Sequence, residues 1–70
     1  MMKFDGVIRP LRRGGFSARG IAAMERAGQL FETQIGPKEF STHEACAAWL
    51  QQAAAERAIA EVRIVDRPGR

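Results

Sequence analysis

The chain has 70 residues, a formal net charge of +3, one Cys, one His and no Tyr. A chain of this length makes one domain and buries only about 60% of the surface its unfolded form exposes, so an enclosed substrate cavity is not expected. A single Cys excludes an internal disulfide, and the longest unbroken apolar run, Ala45 to Leu50, falls far short of the roughly 20 residues that cross a bilayer. No signal-peptide apolar stretch follows Met1-Met2-Lys3, and the expectation is a soluble cytoplasmic protein with no membrane partner.

The charge is unevenly placed. Residues 1–28 hold Lys3, Arg9, Arg12, Arg13, Arg19 and Arg26 against Asp5 and Glu25, a balance of +4, whereas residues 29–70 balance to −1. An Arg-rich first part beside a near-neutral helical part is what a footprint on phosphate looks like. The plainer alternative is a solvated surface that keeps the chain soluble.

In chain order, Met2, Phe4, Gly6 and Ile8 alternate with Lys3, Asp5, Val7 and Arg9, the period of a strand with one buried face, and Pro10 stops it. Arg12-Arg13-Gly14-Gly15 is a turn signal. A second strand follows from Phe16 to about Ala23. Ile21 to Ala27 also suits two turns of helix, bracketed by Gly20 and Gly28, and both readings stay open; strand is preferred because sheet edges need partners. Leu30 to Ile35 reads as a third strand ended by Gly36-Pro37.

The one long helix is expected from Thr42 to about Arg57. Ser41 and Glu44 stand at capping-box spacing, and Phe40 precedes the cap as a staple. Cys46, Trp49, Leu50 and Ala53 recur at i, i+3, i+4 and i+7 as one apolar stripe, and the many Ala allow close approach to a sheet. Ala60 to Asp66 alternates again, with Val62 and Ile64 inward, as a last strand, and Pro68-Gly69-Arg70 reads as a frayed tail. The fold class expected is α+β, a small antiparallel sheet of three or four strands with one helix on one face, in the order β-β-β-α-β.

Two resemblances rest on these residues. Gly14-Gly15-Phe16-Ser17-Ala18-Arg19, a following strand, and then Phe40, Thr42, Ala45, Trp49 and Leu50 resemble the arm-type DNA-binding domain at the amino terminus of phage tyrosine integrases. Glu44 follows Thr42 after one residue, where that family's helix pattern has two. The resemblance implies a sheet that lies in the DNA major groove. With no Tyr in the chain, it implies the accessory domain and not the recombinase. The second resemblance is to small bacterial domains of unknown function in which a short hydrophobic strand follows the helix, as Ala60 to Asp66 does here.

Catalytic and metal chemistry find little footing. His43 and Cys46 lie three apart, but zinc needs three or four ligands, and adding Glu44 or Glu39 leaves a poor set. The same pair makes no nucleophilic dyad, since the apolar stripe claims Cys46 and nothing orients the imidazole. Ser17 follows Gly-Gly-Phe and is not in a nucleophile elbow. Gly14, Gly15 and Gly20 form neither a dinucleotide fingerprint nor a P-loop.

Binding remains. The expected function is a non-enzymatic bacterial or phage-derived domain that contacts DNA through Arg9, Arg12, Arg13, Arg19 and Arg26, with no cofactor, metal or small-molecule substrate. Phe16 could stack on a base, although a strand Phe is more often core. The alternative is a protein-interaction or structural module, for example a homodimer through a strand edge, with no nucleic-acid role.

Overall fold

In the computed structural model, which describes residues 1–68, the elements follow as β1 (Met2–Pro10), β2 (Phe16–Arg26), β3 (Gln29–Phe40), α1 (His43–Glu56) and β4 (Val62–Asp66). This is the expected α+β order. Of the tail at Pro68-Gly69-Arg70, the last two residues lie outside the described residues.

The four strands form one sheet in the order β3-β2-β1-β4. β2 pairs antiparallel with both β1 and β3, and β4 pairs parallel with β1. The sheet is therefore mixed and not antiparallel throughout. Its cause is α1, which carries the chain back from the Phe40 end of the sheet to the Phe4 end, so that β4 starts beside the start of β1. Val62 lies next to Phe4, and Asp66 next to Ile8.

The register decides which side chains meet the helix. Phe4, Gly6 and Ile8 lie opposite Ala22, Gly20 and Ala18 on one face, and Cys46, Leu50, Ala53 and Ala54 of α1 are buried with them. The paired glycines make the hollow this packing needs. A Cβ on Gly20 would stand 2.4 Å from the Phe4 ring, and one on Gly6 would stand 3.0 Å from Leu50. Small residues at the centre of the sheet thus make room for Phe4 and Leu50, two of the largest fully buried side chains.

The helix starts one residue later than the capping-box spacing suggested. Thr42 is the N-cap, and its Oγ1 accepts the Ala45 N–H at 3.1 Å. Glu44 then falls in the first turn, where its charge suits the positive end of the helix dipole. At the other end the Ala58 N–H bonds the Ala55 carbonyl and the Ile59 N–H bonds the Ala54 carbonyl, with Ala58 at φ 56°. This is a Schellman stop built on Ala where Gly is the usual choice, and buried Ile59 seals it.

Ile21 to Arg26 is strand. Ala27 (φ 52°) and Gly28 (φ 80°) form the two-residue turn that closes Arg26 against Gln29, and two positive φ values in succession define the type I′ turn that suits hairpin twist. β2 thus runs past Ala23, the end expected from sequence. β3 also outruns its expected end at Gly36-Pro37 and continues to Phe40. A register shift opposite Ala18 and Gly20, with Gly36 at φ 86°, absorbs the residue that cannot donate; such a Pro is tolerated because β3 is an edge.

α1 has 14 residues and β3 has 12. At about 1.5 Å per helical residue and 3.4 Å per strand residue, the helix covers only about half the length of the strand. The β2–β3 hairpin projects beyond it, in keeping with the elongated shape of 44 × 21 × 15 Å.

Candidate functional site

The face of the sheet turned away from α1 carries Lys3, Asp5, Val7 and Arg9 from β1, Ser17, Arg19, Ile21, Ala23 and Glu25 from β2, and Arg63 and Val65 from β4, as the pairing register requires. Arg67 extends this row, and its N–H bonds the Ile8 carbonyl at 2.9 Å. Alternation along each strand sends these side chains to the side opposite the core.

Arg9, Arg19, Arg63 and Arg67 surround an apolar floor of Val7 and Val65. They line adjoining shallow depressions: Arg9 and Arg19 with Val7, Ser17 and Pro37; Arg63 and Arg67 with Asp5, Val7 and Val65. Arg19 on β2 and Arg67, just past β4, also share one depression over Val7. All four arginines are exposed. Among the described residues none of the four is in an ion pair; Arg13 pairs with Glu39 at 2.7 Å, and His43 bonds Asp66 at 2.7 Å. Asp5 is the one carboxylate lining these depressions. A guanidinium over an apolar floor keeps its fork of donors free for a planar or tetrahedral oxyanion.

The five arginines singled out from sequence separate in space. Arg9 and Arg19 lie on this face. Arg12 and Arg13 occupy the β1–β2 turn at its rim, where the Leu11 N–H bonds the Gly15 carbonyl and Arg13 binds Glu39. Arg26 lies at the far tip of the hairpin, roughly 23 Å along β2 from Arg19 at the usual strand rise, and points to the helix side, where its guanidinium meets the Met24 sulfur at 3.7 Å. The structure does not bring Arg26 to the others.

Two arginines of this face were not among those singled out from sequence. Arg63 and Arg67 lie in the part of the chain whose charge balance is negative, and β4 delivers them beside β1. The signal was in the alternation: with Val62 and Ile64 inward, Arg63 must face outward, and charge counted by face shows it where charge counted along the chain does not.

Phe16 lies on the helix side, half-buried against the core and edge-on to His43 with ring centroids 5.8 Å apart. It cannot stack on anything bound to the arginine face. Cys46 is fully buried, and burial pushes its thiol pKa up, which makes it a poor nucleophile. His43 bonds Asp66 across the helix and β4, tying the two elements together at the exposed rim. Among the described residues no group of three or more His, Cys, Asp or Glu is placed to hold a metal ion, and no helix is long and apolar enough to cross a membrane.

No protein-family model, curated protein or solved structure matches the chain.

Proposed function

We propose that the helix-free face of the sheet binds nucleic acid through its phosphates, with no catalytic step, and that Arg9, Arg19, Arg63 and Arg67 are the contacting residues. The observation that carries this reading is the convergence on one face of four arginines, unpaired among the described residues, from β1, β2, β4 and the residue that follows β4. Neighbouring strands lie about 4.8 Å apart, so the arginines of β4, β1 and β2 span about 10 Å across the sheet, a width comparable with a DNA major groove of about 12 Å. The exposed positions of α1 are largely Ala, Gln and Glu and offer no base-reading set, which leaves the sheet as the reader. The integrase arm-domain resemblance, in which a sheet enters the groove, agrees with this geometry. Arg12 and Arg13 sit at the rim as secondary contacts, and Arg26 has no part.

The test is a fluorescence-anisotropy titration with a mixed-sequence duplex between 50 and 200 mM salt. Four phosphate contacts give a slope of log affinity against log salt of about −3 to −4. Arg19→Ala/Arg67→Ala should reduce the slope to about −2, since each lost contact removes about 0.9. Arg26→Ala should leave it unchanged. No binding at 50 mM salt, or equal losses from Arg26→Ala and the double variant, would sink the reading.

A further inference from the structure

We infer that the open edge of β3 pairs with β3 of a second copy of this chain, antiparallel about a twofold axis at Thr33, so that two four-stranded sheets join into one. β3 is an edge along its whole length. Every residue from Gln29 to Gln34 is exposed, including Leu30 at 64% and Phe31 at 52%. An edge that stays unpaired is usually blunted by Lys, Pro, a bulge or shortness. Between Gln29 and Ile35 there is only Glu32, and the bulge and Pro37 come after that segment. The opposite edge, β4, is five residues long and carries Arg63 and Asp66.

Hydrogen-bond direction fixes which β3 groups are available. A two-residue turn makes Arg26 and Gln29 a hydrogen-bonded pair, and antiparallel pairs alternate from there. Gln29, Phe31, Thr33 and Ile35 therefore bond inward to β2, and the backbone groups of Leu30, Glu32 and Gln34 point outward. The Glu25 N–H, directed to the Met1 carbonyl on the β1 side of β2 at 2.9 Å, confirms the phase.

Self-pairing then has few registers. A dyad at Glu32 sets the two carboxylates against each other, which like-charge pairing disfavours. A dyad at Phe31 leaves Ile35 without a partner and puts Leu30 opposite Glu32. A dyad at Gln34 puts Phe31 opposite Pro37. The dyad at Thr33 places Phe31 opposite Ile35 twice on the helix side, Thr33 against Thr33 at the centre, and Glu32 opposite Gln34 on the other side. It alone makes two apolar pairs while keeping the acids apart, where the dyad at Phe31 makes one, and it covers Phe31 where α1 stops short. The interface is isologous and closed, so it ends at two copies.

The whole chain in reducing buffer, without nucleic acid, is examined by sedimentation equilibrium. The expected result is a concentration-dependent species of twice the 7.7 kDa chain mass. Thr33→Lys and Thr33→Glu should each be monomeric with unchanged circular dichroism, because Thr33 is exposed in the single chain, and mixing them should restore the dimer. On mild oxidation Thr33→Cys should cross-link at least tenfold faster than Glu32→Cys, since only position 33 meets itself at a non-hydrogen-bonded pair with Cα atoms about 4.5 Å apart. A wild-type monomer at millimolar concentration, a dimer that Thr33→Lys leaves intact, or equal cross-linking of the two Cys variants would overturn the inference.

Discussion

The two faces of the sheet use their residues in opposite ways. The helix side is built from size: Gly6, Gly20, Ala18 and Ala22 are small so that Phe4, Ile8 and Leu50 can fill the space above them. The other side is built from charge, with Arg9, Arg19, Arg63 and Arg67 standing over Val7 and Val65 and, among the described residues, making no ion pair. The backbone that carries them is shared, since adjacent residues of each strand go to opposite sides. A substitution on the first face should therefore act on stability, and one on the second on binding.

The largest effect that would break this division is expected at Leu50. Leu50→Ala empties a fully buried site and should cost about 2–5 kcal/mol, enough to unfold much of a domain this small at ordinary temperature. Gly20→Ala forces a methyl onto the Phe4 ring and should cost about 1–3 kcal/mol by overpacking. Both are read by urea denaturation. If either variant kept full stability while DNA affinity fell, the helix side would have a binding role that its burial does not allow.

The first face was far more legible in the sequence than the second. Alternation in β1, the stripe of Cys46, Leu50 and Ala53, and the Val62/Ile64 pair all report burial, and burial leaves a periodic trace. Three features escaped, the first for a local reason and the other two for tertiary ones. Ser41 and Thr42 are both good caps one residue apart, and sequence spacing favoured the one that brought Glu44 to N3. Pro37 was read as a strand end, because nothing local shows that β3 is an edge where a bulge can take up a Pro. The parallel pairing of β4 depends on where α1 delivers the chain, a tertiary fact. The arginine face was half visible: the reading around the first turn included Arg9 and Arg19, which the register puts on one face, whereas Arg26, read at the next turn, lies at the far tip of the hairpin on the helix side. Arg63 and Arg67 come from the far end of the chain, and only strand pairing puts them there.

On the second face, Arg19→Ala/Arg67→Ala should weaken duplex binding at low salt by roughly tenfold to thirtyfold, or about 1.4–2 kcal/mol, and shift the denaturation midpoint by less than its error. Both side chains are exposed and, among the described residues, unpaired, so their removal takes nothing from the fold. A control that sharpens the contrast is Ala58→Gly. Ala58 holds the left-handed conformation that ends α1, and Gly adopts it without a Cβ penalty, so stability should rise by about 0.5–1 kcal/mol with affinity unchanged.

The smallest effect tests whether the charged face is a set of separate arginines or a balanced field. Arg13 and Glu39 pair at 2.7 Å with both side chains well exposed, so Arg13→Ala should change stability by under about 0.5 kcal/mol. Its effect on binding has a sign that simple charge counting explains only in part. Glu39 lies across Ser17 from Arg9 in the register of β1, β2 and β3, and without Arg13 its carboxylate is left uncompensated beside the Arg9 guanidinium. Affinity should then fall by roughly twofold to fourfold at low salt, a loss that salt screens away. Arg13→Ala/Glu39→Gln separates the two causes. If Arg13 acts by masking Glu39, the double variant recovers wild-type affinity; if it touches phosphate itself, the loss remains and the salt slope stays about one unit shallower.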